Sequence, residues 1–140
     1  MKAYVEHVNF YVSSLREAVQ FLATALPEFQ VRGRGTSNGI EWLHIGTDSS
    51  YLALSDTADE QLVRARKLNH IGFVVSDVAS IKTRLREAGY EEGSVVEPSQ
   101  NRKRLYFLDH DGLEWEFVEY LSDDPALRNE YEQEERFGKN

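Results

Sequence analysis

Three side chains able to hold a divalent cation recur in strand-like settings. They are His7 in His7-Val8-Asn9-Phe10-Tyr11-Val12, His70 in His70-Ile71-Gly72-Phe73-Val74-Val75, and Glu116 in Leu113-Glu114-Trp115-Glu116-Phe117. Successive side chains on a strand point to opposite faces. Val8, Phe10 and Val12 form one apolar row, so His7, Asn9 and Tyr11 point the other way. Ile71, Phe73 and Val75 leave His70 on the opposite face, and Leu113, Trp115 and Phe117 do the same for Glu116, Val118 and Tyr120. A single strand histidine is ordinarily a hydrogen-bonded residue of no special chemistry. Two at matching positions, with an inward carboxylate that would be costly to leave unpaired, point to a metal centre. Imidazole and carboxylate suit borderline divalent ions, and three protein ligands leave positions open for water or substrate. The pattern does not choose among Fe, Mn, Zn and Ni.

The elements that must position these groups come in two copies. Sliding the chain 63 positions along itself aligns the His7 strand with the His70 strand without a gap. Ser14-Leu15 then falls on Asp77-Val78, Leu22 on Leu85, Ala25 on Ala88, and Leu52-Ala53-Leu54 on Trp115-Glu116-Phe117. Each copy reads as strand, helix and three strands. In the first, a strand over Ala3–Val12 ends at Ser13-Ser14, a helix cap, and Leu15, Val19, Leu22 and Leu26 recur at helical spacing up to Pro27. Strands are predicted near Phe29–Arg34, Glu41–Gly46 and Ser50–Ser55. In the second copy a strand over Asn69–Val75 leads to an Asp77 cap and a helix ending at Gly89. Strands are predicted near Gly93–Glu97, Arg104–Leu108 and Leu113–Tyr120, with a turn at Asp109-His110-Asp111-Gly112. This divides the chain into a first module (1–56), a linker (57–68), a second module (69–120) and an acidic tail (121–140). In the tail Asp124-Pro125 opens a short helix expected to reach Arg136, with apolar positions Leu127, Tyr131 and Phe137.

Composition narrows the alternatives. The 140 residues contain 24 acidic and 16 basic side chains, a formal charge of -8, the wrong sign for a binder of nucleic acid phosphates. Arg102-Lys103-Arg104 is the only basic cluster, and it reads as a surface loop before a strand. There is no cysteine, which removes disulfides, thiolate zinc sites and cysteine nucleophiles. No apolar run approaches the ~20 residues that span a bilayer, and the first ten residues lack the apolar stretch of a signal peptide. A soluble, cytoplasmic protein is expected, without a nucleic-acid or membrane partner.

These modules, the first-strand histidine of each, and the ending Phe107-Leu108-Asp109-His110-Asp111-Gly112-Leu113-Glu114-Trp115-Glu116-Phe117 resemble the vicinal oxygen chelate superfamily. That superfamily includes glyoxalase I, extradiol dioxygenases, fosfomycin-modifying enzymes and bleomycin-resistance proteins. The resemblance covers about residues 3–120. It implies an α+β fold of two tandem βαβββ modules forming a curved mixed sheet around a cavity, in a homodimer. It also implies a metal that chelates adjacent oxygens of a small substrate.

Carried over, His7, His70 and Glu116 match its metal positions, whereas Ala53 stands where glyoxalase I keeps a glutamate. The resulting two-histidine, one-carboxylate set resembles that of the dioxygenases and fosfomycin enzymes. Tyr106 matches a site tyrosine that could donate a proton. Asn9, Tyr11, Tyr120 and Arg104 are expected to line the substrate. At the same offset His44 pairs with Phe107, and it reads with Trp42 as part of the helix-facing core; His110, in the turn, reads as exposed. The expected activity is metal-dependent, as a lyase, dioxygenase or transferase. The alternatives are a non-catalytic protein of the bleomycin-resistance type that sequesters a small molecule, and a fosfomycin-resistance-type transferase. Whether the triad meets within one chain or across a dimer stays open at this stage.

Overall fold

The computed structural model describes residues 5–65 and 68–130. Strand β1 (His7–Val12) is followed by helix α1 (Leu15–Ala25), β2 (Gln30–Ser37), β3 (Ile40–Gly46) and β4 (Tyr51–Asp56). Helix α2 (Glu60–Ala65) precedes β5 (His70–Val74), α3 (Val78–Glu87), β6 (Glu91–Glu92), β7 (Arg102–Leu108), β8 (Glu114–Tyr120) and α4 (Pro125–Arg128). The strands form two four-stranded sheets, ordered β1-β4-β3-β2 and β5-β8-β7-β6. In each, the first strand pairs parallel with the last and the remaining pairs are antiparallel. The fold is α+β and built from two tandem modules, as the residue pattern implied.

Both long helices start where the caps predict. The Ser14 side chain accepts from the Glu17 amide and that of Asp77 accepts from the Ser80 amide, each satisfying a donor with no partner inside the helix. Their apolar stripes meet the sheets in one continuous core. That core takes Phe10 and Val12 from β1, Phe21 and Leu22 from α1, Leu43 and Ile45 from β3, and Ile81 and Leu85 from α3. Leu105, Phe107, Trp115 and Phe117 join it from β7 and β8.

Arg84 ties the modules together. Its Nε donates to the Thr24 carbonyl and a terminal nitrogen to the Ala25 carbonyl, both at 2.9 Å. These are carbonyls of the last turn of α1, which carries no basic residue of its own to meet the negative end of its dipole. Arg84→Ala is expected to cost about 2–3 kcal/mol, since hydrogen bonds from a charged donor are worth more than neutral ones. A thermal melt with Tm lowered by roughly 5–10 °C would agree, and an unchanged Tm would show the contact to be idle.

Several expectations are corrected. The strand expected at Gly93–Glu97 is only Glu91–Glu92. The Glu114 carboxylate draws the next segment away by accepting from both the amide and the hydroxyl of Ser94, at 2.9 and 2.7 Å. Arg102, Lys103 and Arg104 lie within β7 rather than in a loop. The linker contains α2, too short to show a period, anchored by buried Val63. Helix α4 stops at Arg128, and the expected continuation from residue 131, with Tyr131 and Phe137, lies outside the described residues. His110 is not exposed: its side chain is 15% accessible, with Nε2 3.3 Å from an Asp111 carboxylate oxygen.

The largest correction concerns face rather than boundary. The turn in the first sheet runs from Gly46 to Tyr51, paired with each other, while the equivalent turn in the second runs from Leu108 to Glu114. The second turn is one residue longer. The two copies therefore match at offset 63 in β1/β5 and β4/β8 but at offset 62 in β3/β7. A shift of one residue moves every side chain of a strand to the other face. Leu43 and Ile45 accordingly enter the core, while Trp42 and His44 turn onto the face away from the helices. Neither is the core residue that an ungapped repeat suggests.

Candidate metal centre

Beside Glu116, β8 is flanked by Gly72 of β5 and Tyr106 of β7. The Tyr106 hydroxyl donates to one carboxylate oxygen of Glu116 at 2.7 Å, and His70 Nε2 lies 3.1 Å from the other. Gly72 leaves that side of Glu116 uncovered: a Cβ built there would stand 3.5 Å from the carboxylate oxygen. Tyr106 is buried and Glu116 largely so, while the His70 ring is more than one third exposed. Burial first, and then the hydrogen bond to Glu116, push the Tyr106 pKa up to about 12.

The donor set is compatible with a cation. His70 Nδ1 lies 2.7 Å from the Asn69 side-chain oxygen, an acceptor, so Nδ1 bears a proton and in the neutral ring Nε2 presents a lone pair. That lone pair faces the Glu116 carboxylate, itself only an acceptor when ionised. Two lone pairs meeting at 3.1 Å need a proton or a metal ion between them, and that separation lets both atoms reach one ion at bond lengths of about 2.0–2.2 Å. The donors present therefore fit a divalent ion.

The first module repeats half of this arrangement. His7 Nδ1 lies 2.9 Å from a Glu6 carboxylate oxygen, which fixes the same tautomer and leaves Nε2 free to ligate. This hydrogen bond is the main reason that the Glu6 carboxyl titrates below its usual range. Opposite, however, β4 offers only the methyl of Ala53, whose register partners are Asn9 and His44. Among the described residues no three His, Asp or Glu side chains come together in one chain as a metal site. The structure unites His70, Glu116 and Tyr106, and places His7 in the corresponding corner of the other sheet.

The remaining expected residues fall on the same open faces. Asn9 and Tyr11 line a cavity of about 650 Å³ with Ser55, Leu62 and Leu68. Arg104 lies two residues from Tyr106 on β7, close enough for its charge to act on the phenol. Tyr120, at the end of β8, is covered by the Arg128 guanidinium at 4.3 Å. The residue pattern missed Glu6 and Asn69, although an acceptor directly before each first-strand histidine was there to be read. It missed the Trp42-His44-Tyr51 group because of the register difference.

The Tyr106 environment makes stability depend on pH. The fold favours the neutral phenol, so this contribution to stability is intact below the ordinary tyrosine pKa of ~10 and is lost as pH rises through about 12. In an alkaline titration of phenolate absorbance, Tyr106→Phe should delete a late component and leave the earlier ones. Loss of an early component instead would place Tyr106 in water.

With this geometry in view, the family is defined. The sequence profile of the Glyoxalase/Bleomycin resistance protein/Dioxygenase superfamily matches residues 4–117, and the chain belongs to that superfamily. No curated protein matches the chain. Among solved structures, a glyoxalase/bleomycin resistance protein/dioxygenase domain from Frankia sp. EAN1pec is 20% identical with a TM-score of 0.70, covering 86% of this chain and 99% of that one. The fosfomycin resistance protein FosX from Listeria monocytogenes, complexed with Mn(II) and sulfate, is 17% identical with a TM-score of 0.70, covering 91% and 96%. Trypanothione-dependent glyoxalase I from Leishmania major is 17% identical with a TM-score of 0.66, covering 84% and 87%. At these identities the likeness establishes the fold. Among the described residues no helix is long and apolar enough to cross a membrane.

Proposed function

We propose that the chain is a divalent-metal-dependent enzyme acting on a small substrate held through adjacent oxygens, with each site completed by a second copy of the chain. The observation that carries this reading is the His70–Glu116–Tyr106 cluster, in which His70 Nε2 and a Glu116 carboxylate oxygen lie 3.1 Å apart while Tyr106 donates to the other oxygen. His70 and Glu116 of one copy and His7 of the other would hold the ion. A bound divalent ion would supply Lewis-acid polarisation of the substrate oxygens.

The chain's own residues do the rest. Asn69 and Glu6 keep the two imidazoles in the ligating tautomer. Glu116 holds the Tyr106 hydroxyl at the site by accepting its hydrogen bond, and, turned from Glu116, the same neutral phenol would donate to a substrate oxygen. A second copy would bring the third ligand, since among the described residues no third His, Asp or Glu side chain joins His70 and Glu116, and β1 and β5 each pair on one side only. FosX, crystallised with Mn(II), supports the metal by analogy of fold.

The test begins with chelator-stripped protein titrated with Mn(II), Ni(II), Zn(II) and Fe(II) while molar mass is followed. One ion per chain, bound by dimers alone, is expected for the cognate metal. Stoichiometric binding by a monomer, or none by any form, would overturn the reading.

A further inference from the structure

The open face of the first sheet carries a run of rings that begins at the proposed ligand His7 and continues past it. The His7 ring stacks on Tyr51 at 4.8 Å, Tyr51 adjoins His44 at 4.8 Å, and His44 adjoins Trp42 at 4.9 Å. A cation joins them. The ladder between β2 and β3 shifts between Val31 and Gly33, leaving Arg32 as the extra residue, and its guanidinium comes to lie 4.2 Å from the centre of the Tyr51 ring. Bulges re-aim side chains in this way. Three residues on, the strand has Gly35, and a Cβ there would come within 2.8 Å of the Trp42 ring, so the glycine leaves room for the indole. Ala53, short where the second sheet has Glu116, leaves the neighbourhood of His44 open.

Such a surface offers broad π faces beside the Arg32 guanidinium, with the Glu6 carboxylate near enough to feel its charge, in a chain whose net charge is -8. From this we infer that the first module is the recognition wall for the substrate. The ligand class is a planar aromatic ring bearing an anionic substituent, the ring stacking on Trp42 and His44 and the anion meeting Arg32. Charge complementarity selects the anion and ring area selects planarity over equal bulk. The inference rests on the proposed function for placing this wall at the site through His7, and not for the metal itself.

The test uses the purified protein in excess EDTA, with calorimetry of three probes: 2-naphthoate, its saturated analogue decahydro-2-naphthoate, and neutral 2-naphthamide. Naphthoate should bind at least about tenfold more tightly than the saturated acid, the size expected of aromatic stacking. Trp42→Leu should lose about tenfold and Trp42→Phe much less, a pair of similar bulk that separates stacking from misfolding. Arg32→Gln should erase the preference for naphthoate over naphthamide. Equal binding of planar and saturated acids, or unchanged affinity in Trp42→Leu, would overturn the inference. Absence of binding because a second copy covers Trp42, seen as protection of its fluorescence from acrylamide, would overturn it too. If ring selectivity fails while metal still loads, this inference alone falls; if selectivity persists in a protein that never binds metal, the metal reading alone falls.

Discussion

Glu116→Ala is expected to reduce divalent-metal affinity by more than about 100-fold, because even partners behind a ligand are worth 10–100-fold and the role proposed for Glu116 is that of a ligand itself. The substitution also orphans the Tyr106 hydroxyl, which now donates to Glu116 at 2.7 Å in a buried position. Leaving it unsatisfied adds about 1–3 kcal/mol of destabilisation. The two effects separate by substitution. Glu116→Gln keeps an acceptor for Tyr106 and so restores the melting temperature, but its neutral amide remains a poor ligand and leaves affinity low. Metal content by elemental analysis and a melt of the same samples read both. Full metal retention in Glu116→Ala would remove Glu116 from the site.

Asp109 is expected to show the largest effect on stability. It is only 9% exposed, and its carboxylate accepts from the amides of Asp111 and Leu113 at 2.9 Å and from the Trp115 indole at 3.0 Å. Asp109→Ala strands donors that water reaches poorly, and a loss of about 3–5 kcal/mol follows, or roughly 10–15 °C in Tm. Asp109→Asn is informative because its amide nitrogen would face the indole donor while its oxygen could still serve the backbone amides. It should lie between wild type and Asp109→Ala, with an altered near-ultraviolet signal from Trp115. A loss under about 1 kcal/mol in Asp109→Ala would show that the turn holds itself without this side chain.

That same turn explains what could and could not be read from the residues. The duplication was legible because two first strands and two helices carry matching apolar rows, and the proposed ligands His7, His70 and Glu116 all lie on strands where the offset is constant. Asp109 closes a turn one residue longer than the one around Asp48, and nothing in the local composition marks the difference. The slip reverses β3 alone, which is why His44 and Trp42 read as core although Leu43 and Ile45 fill it. Helix α2 was hidden for another reason. Six residues give less than two turns, and only tertiary contact through Val63 marks it as ordered. The tutelage of each histidine by its preceding residue was visible as Glu6-His7 and Asn69-His70, but only the 2.9 and 2.7 Å contacts give it meaning.

The most direct test mixes two inactive variants. His7→Ala and Glu116→Ala homodimers should each bind no metal, since every site lacks one ligand. Unfolded together and refolded, they should recover about a quarter of the wild-type metal capacity, because half the dimers are hybrids and each hybrid has one intact site of two. Recovery near that level is the result a site shared between copies predicts. No recovery from hybrids shown to have formed, or full binding by the His7→Ala protein alone, would contradict it.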